Sequence, residues 1–252
     1  MKLTDAERAE NRKAFAEMTW PQRVEYIFEY YKFPLVLILI ASVALGSAVY
    51  YRVTHREPLL YLGYANIAVG GTLDSALTEG FTRAVGENPR HSEVRIYRNL
   101  FLSGDASVQD HQYAYASRLK VMAAITNRQL DVLLMNRDAY DLLSAGGYLL
   151  PLEEPLRQVS PLYSRISGQL TENVVILEDN EIAHQLDESV PYQAVTETTA
   201  NALLLSSFAL FEQAGFSGDV YLGVIGNTPR MDTVLQYIDY LTAAAGAVPP
   251  EE

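Results

Sequence analysis

The chain has 252 residues, room for one or two domains, and its 31 Asp and Glu against 19 Lys and Arg leave a formal charge of −12. So acidic a chain repels a phosphate backbone, which argues against nucleic acid as a partner. Cysteine is absent, so disulfides, thiolate metal sites and cysteine nucleophiles are all excluded, while either side of a bacterial membrane stays open as the compartment.

Residues 1–32 carry six Lys/Arg and six Asp/Glu, a net charge of zero. They read as a cytosolic tail ending in an amphipathic, membrane-proximal helix. Thr19 with Gln22 three residues on is a capping-box spacing, and Pro21 suits a first turn. Trp20, Val24, Ile27, Phe28 and Tyr31 then share one helical face, with Arg23, Glu25, Glu29 and Lys32 elsewhere. Such a face either docks on a membrane surface or partner, or serves as a collar that fixes depth.

From Phe33 to Tyr51 there is no charged side chain over nineteen residues, and ten of these are Leu, Ile, Val or Phe. As a helix the run measures roughly 28 Å, close to the ~30 Å hydrocarbon layer. Tyr26, Tyr30 and Tyr31 precede it and Tyr50 and Tyr51 end it, in the manner of interfacial aromatic belts; Lys32 and Arg52 flank it. Residues 33–52 are therefore expected to form a transmembrane helix, with Pro34 kinking rather than ending it. Ala44, Gly46 and Ala48 would suit a signal-peptide cleavage site, but the preceding region is long and not net basic, which favours an uncleaved signal anchor. Positive charge is nearly balanced across the run, so it orients the chain only weakly.

Residues 58–252 hold eleven Lys/Arg and twenty-four Asp/Glu, a net of −13. An extracytoplasmic α/β domain is expected over 58–245. Strands are predicted at 57–66, 93–99, 130–136, 173–179 and 220–227, from apolar runs or alternation. Helices are predicted at 73–85, 107–129, 137–146, 198–215 and 228–241. In the 107–129 helix Val108, Tyr115, Leu119, Met122 and Ile125 are expected to face inward. The 198–215 helix is apolar nearly all round, and YLLPLEEPL is expected to be a loop or short strand. The leading β-α-β-α-β-α order predicts a mostly parallel sheet with helices on its faces. The tail AAAGAVPPEE is expected to fray.

DVLLMNRDAYDLLSAGGYLLPLEE (131–154) resembles a recurrent piece of type 2 extracytoplasmic solute-binding proteins: a buried strand begun by Asp, a helix, then Gly and an apolar segment ending in LPL and acids. VYLGVIGNTPRMDTVLQYIDYL (220–241) is similar to their later strand, Asn-containing turn and returning helix. WPQRVEYIFEYYKFPLVLILIASVAL resembles the head of uncharacterised single-pass membrane proteins of Gram-positive bacteria that carry such a domain. The resemblance implies a membrane-anchored, solute-binding-like fold with its N-terminus in the cytoplasm. At about 190 residues the soluble part is short for two lobes, so the fold would be a reduced one.

Ligands of open α/β sheets gather at strand ends, and four predicted strands end in asparagine: Asn66, Asn99, Asn136 and Asn227. Carboxamides suit a polar neutral ligand. Asparagine also caps helices and forms turns, which fits Asn136 and Asn227, each placed before a predicted helix. Gly70-Gly71-Thr72 precedes a helix but lacks the lysine and spacing of a phosphate loop; a plain loop capped by Thr72 is expected. His55, His91, His111 and His184 show no metal-ligand spacing, GxSxG is missing, and Asp187-Glu188 and Glu153-Glu154 read as solvated surface. No catalytic residue, metal or cofactor is expected. The expected function is a non-enzymatic, membrane-anchored extracytoplasmic module that binds a small polar solute or an envelope protein. The alternative is a scaffold or accessory subunit of a membrane complex, docking through the aromatic face of residues 20–31 and the span.

Overall fold

The computed structural model describes residue 16 and residues 18–54, 56–104, 111–187 and 189–243; the side chains of residues 24, 26–32, 35, 49, 53 and 54 lie outside the description. The chain divides between residues 55 and 56 into two units.

The first unit is α1 (Trp20–Thr54), a continuous helix of 35 residues and about 52 Å. Its start is built as the capping spacing requires: the Thr19 N–H donates to Gln22 Oε1 at 3.0 Å and the Arg23 N–H returns to the Thr19 carbonyl at 3.0 Å. Pro34 lies inside the helix. The Ser42 hydroxyl is satisfied within it, donating to the Ile38 carbonyl at 2.8 Å. Leu37, Ile38, Leu39, Ile40 and Leu45 are all exposed. Among the described residues no helix is long and apolar enough to cross a membrane; the described side chains of α1 run unbroken only from Val36 to Ala48. Of the expected docking face, Trp20 is 79 % exposed, while the side chains of Val24, Ile27, Phe28 and Tyr31 lie outside the description.

The second unit is a six-stranded mixed sheet with helices on both faces. β1 (Glu57–Ala65) leads into α2 (Gly71–Ser75), a π turn (Ala76–Gly80) and α3 (Phe81–Ala84). The Tyr240 hydroxyl donates to the Ala76 carbonyl at 2.8 Å, inside the widened turn. β2 (Ser92–Leu100), α4 (His111–Thr126), β3 (Val132–Met135) and α5 (Arg137–Ala145) follow. Next come α6 (Glu153–Arg157), α7 (Ser160–Ile166), β4 (Leu170–Asp179), α8 (Glu181–Leu186) and β5 (Ala194–Leu204). α9 (Ala209–Ala214), β6 (Tyr221–Val224) and α10 (Met231–Ala243) complete it.

The strand order is β2-β1-β3-β6-β5-β4. β1 pairs in parallel with β2 and β3, whereas β3–β6, β6–β5 and β5–β4 are antiparallel. The crossover from β1 to β2 and the one from β2 back past β1 to β3 step in opposite directions along the sheet, so right-handedness sends α2–α3 to one face and α4 to the other. Side-chain alternation sorts the core the same way. Leu60, Leu62, Val132 and Leu134 join Leu77, Phe81, Val234 and Ile238 on the first face. Ala65, Leu133 and Met135 join Val121, Ala124, Tyr140 and Leu143 on the second.

Several expectations are corrected. Three of the five neighbouring strand pairs are antiparallel, so the sheet is not mostly parallel; two of the three involve residues 198–204, which lie in a strand instead of a helix. That strand is rich in β-branched Thr196, Thr198 and Thr199 and pairs with β4. An apolar run buried on both faces does not distinguish strand from helix by period. Gly215, at φ +65°, then ends the short α9 in the left-handed conformation that suits glycine. In α4, Tyr115 and Leu119 are 65 % and 52 % exposed. The buried line is instead Ser117, Val121 and Ala124, small residues that let the helix approach the sheet. Residues 107–110, with Val108, lie outside the description. The segment after Gly147 makes one bridge, Leu149 to Ile225, before turning into α6. The closing helix begins at Met231, so Pro229 precedes its first turn.

β4 and β5 continue past the core as a two-stranded arm, and the far halves of both are largely exposed. Asn180 clasps the arm's tip: its side chain accepts the Gln193 N–H at 2.7 Å and donates to the Pro191 carbonyl at 3.0 Å. α8 sits in that closed loop with Ile182 and Leu186 exposed.

Candidate functional site

The strand-end asparagines divide between two ends of the sheet. β1, β2 and β3 run in parallel, so Asn66, Asn99 and Asn136 lie at one end; β6 runs the other way and carries Asn227 to the opposite end. Asn66 and Asn99 both have φ +56°, the left-handed region that asparagine tolerates better than most side chains. The Asn66 side chain donates to the Leu102 carbonyl at 2.6 Å and accepts the Leu102 N–H at 2.8 Å. Asn99 is exposed, and its carbonyl accepts the Tyr113 hydroxyl. Asn136 caps α5 by accepting the Ala139 N–H at 3.0 Å. Asn227 caps no helix; it donates to the Ile125 carbonyl at 2.8 Å, holding the end of α4.

At the Asn227 end lies a buried polar hub. Asp131 is fully buried at the head of β3. It accepts the Tyr61 N–H at 2.8 Å and the Thr228 hydroxyl at 2.6 Å, and Arg230 Nη1 sits 3.1 and 3.3 Å from its two oxygens. The Arg230 guanidinium also stacks 4.6 Å over the Tyr61 ring. All of the carboxylate's partners are internal, so the hub ties β1, β3 and the β6–α10 turn together. A second internal network joins α5 to β4 and β5: the Tyr140 hydroxyl lies 2.8 Å from Asn201 Oδ1, Asn201 donates to the Ser144 hydroxyl at 2.8 Å, and Ser144 donates to the Val174 carbonyl at 2.9 Å. The Gly70-Gly71 turn has no side-chain cap: Gly70 is the N-cap and Thr72 lies within the first turn, correcting the expected Thr72 cap. Asp74 in that turn is engaged by Arg98 at 2.6 Å and by the Tyr64 hydroxyl at 3.1 Å. The Tyr64 phenol is pushed well above its usual range by burial and then by Asp74.

A groove of about 920 Å³ lies on the second face, where α4, α5 and the β4–β5 arm meet. Leu102, Val121, Met122, Leu142, Leu143 and Tyr148 give it an apolar floor. Glu178, Asp179 and Glu181 on the arm form an acidic rim, with His184, Gln185 and Tyr192 beside them and Arg118 across from them. The Tyr192 phenol is held above its ordinary value by loss of solvent and then by the Asp179 and Glu181 carboxylates. His184 is occupied locally, its Nδ1 lying 2.7 Å from the Val190 carbonyl. Among the described residues no three of His, Asp and Glu gather closely enough to hold a metal ion; His55 and Glu188 lie outside the description.

None of the four asparagines lines this groove, but two of them build it. Asn66 fixes the Leu102 backbone at one wall, and Asn136 starts the helix that supplies Leu142 and Leu143. The rim carboxylates and the Asp131–Arg230 pair were missed from the sequence. Asp131, an acid heading an uninterrupted apolar strand, was the available signal for the hub. No family model, curated protein or solved structure matches the chain.

Proposed function

We propose that the chain is a single-pass membrane protein whose extracytoplasmic α/β unit is a non-enzymatic binding module, and that the groove beside the β4–β5 arm receives its partner. One observation carries the reading: an unbroken 35-residue helix with its aliphatic side chains exposed precedes a separately cored unit that presents a polar-rimmed apolar groove. In water such a helix surface would be strongly unfavourable, at about 25 cal/mol per Å² of apolar area left wet; in lipid the cost disappears. The Ser42 hydroxyl, bonded back to its own helix, suits the same setting. The N-terminus is placed in the cytoplasm on the strength of the solute-binding-protein resemblance. Among the described residues a single sheet supplies one wall system and no second lobe, so they would hold a ligand in an open groove rather than a closed cleft. The apolar floor favours a partner with apolar anchors, such as an envelope protein, over a small polar solute.

Thermal-shift measurements on the purified chain against sugars, amino acids and peptides separate the two ligands. A small solute present at a hundred times its Kd would stabilise the unit by about 2.7 kcal/mol. The reading predicts no such shift with sugars or amino acids, and a shift with peptides. The exposed Trp20 supports a second reading, docking of the helix entry against another membrane protein. Loss of co-purification of a membrane partner in Trp20→Ala and Phe28→Ala, with insertion intact, would favour that scaffold role over the groove.

A further inference from the structure

We infer that the groove takes a short amphipathic polypeptide segment carrying Lys or Arg, contributed by a second protein. The inference rests on the groove being the binding surface and adds the chemistry of its occupant. Charge complementarity chooses the class. Glu178, Asp179 and Glu181 lie within four positions on the arm, and none forms an ion pair among the described residues. Their hydrogen bonds are local: Asp179 accepts the Glu181 N–H at 3.2 Å and Glu181 accepts the Gln185 amide at 2.9 Å. Among the described residues Arg118 is the one arginine or lysine of the lining, which leaves those residues a net negative field above an apolar floor.

The shape points to a polypeptide. Ile176, Leu177, Glu178 and Asp179, four consecutive residues of the edge strand β4, all line the groove, so it runs along the strand's margin rather than over one face. α5 covers only the earlier part of that margin, through Tyr140 to the Thr171 carbonyl and Ser144 to the Val174 carbonyl. The register shift between Ile176 and Glu178 breaks regular pairing there. The occupant is therefore read by its side chains, with apolar groups on the floor and cations at the rim, rather than added as a long seventh strand. Other occupants are disfavoured by charge. A second copy brings another strongly acidic unit, with a net charge of −13 over residues 58–252, to the same carboxylates.

The test uses the full chain in a nonionic detergent and two fluorescent peptides of one apolar pattern, one with Lys and one with Glu at every polar position, read by anisotropy. The Lys peptide is expected to bind about tenfold or more tightly than the Glu peptide at low salt, and to weaken as salt rises. Glu178→Lys and Glu181→Lys, each made alone, should cut that preference severalfold. Glu212→Lys, an equal change in charge on α9 of the opposite face, should leave it intact. If both peptides bind equally, and Leu142→Asp abolishes both, the groove stands as a binding surface and the basic occupant is wrong. If the Lys peptide prefers the chain but the rim changes act no more strongly than Glu212→Lys, the occupant is likewise overturned. If neither peptide binds, the groove reading falls together with the inference.

Discussion

Replacing Asp131 by alanine removes a fully buried carboxylate from the junction of three strands. The Tyr61 N–H at 2.8 Å loses its acceptor in a residue that is itself buried, which costs about 1–3 kcal/mol. The Thr228 hydroxyl and the Arg230 guanidinium lose a charged partner as well. Arg230 is partly exposed and keeps the Arg128 carbonyl at 3.1 Å and the Tyr61 ring, which limits its share. Breaking a buried pair of this kind costs about 3–5 kcal/mol in total. For a unit of this size the melting temperature should fall by roughly 6–20 °C, and the urea midpoint by about 1–3 M. Residues 56–252 contain both hydrophobic clusters whole, so far-UV circular dichroism of that fragment is the assay. Asp131→Asn keeps an acceptor for Tyr61 but turns donors toward Arg230, and should lose roughly half as much. A midpoint within about 0.3 M of wild type for Asp131→Ala would refute the claim that the hub holds the sheet together.

Three further outcomes follow from the same geometry. Asn66→Ala gives up two hydrogen bonds to Leu102 and forces alanine to φ +56°, so it should destabilise by about 1–3 kcal/mol, and Asn66→Gly, which relieves the backbone part, by less; urea midpoints compare them. In Gly63→Ala the new Cβ would meet Leu133 Cδ2 at 2.5 Å and Leu130 Cδ1 at 3.2 Å, an overpacking cost of about 1–3 kcal/mol readable in the same melts. Burial raises the phenols of Tyr64, Tyr140 and Tyr237 above their ordinary value. The stability this confers is complete below about pH 10, where unfolded tyrosine is still neutral, and is lost as pH rises beyond it. Phenolate absorbance followed with pH should therefore leave a fraction of the seventeen tyrosines un-ionised until circular dichroism records unfolding; ionisation of all of them near pH 10 in a folded chain would contradict this burial.

How much was legible in the sequence depended on how local the deciding force was. The first three strands and the helices between them follow from period and capping, and Asn136 starts its helix as its position before RDAYDLL requires. Thr19 and Gln22 were legible for the same reason: the bonds close within one turn. Residues 198–204 were misread because their inner part, Asn201–Leu203, is buried whichever way successive side chains point, which erases the alternation that marks a strand and leaves threonine content as the signal. α4 was misread because the sheet selected Ser117 and Ala124 for close approach, leaving the larger Tyr115 and Leu119 outside. The groove was illegible because its walls are separated by tens of residues and meet only once β4 and β5 pair. Asn66 was singled out as a ligand group, yet a left-handed turn and the Leu102 backbone account for it.

The central claim is that α1 lies in a bilayer with the acidic unit tethered on the outer side. Protease treatment of intact cells expressing the full chain, followed by a carbonate wash of their membranes, tests it most directly. The account predicts that external protease removes residues 56–252 while a fragment containing Phe33–Tyr51 stays in the washed membranes. Recovery of the chain in the soluble fraction without detergent, or protection of the acidic unit until the cells are opened, would contradict it.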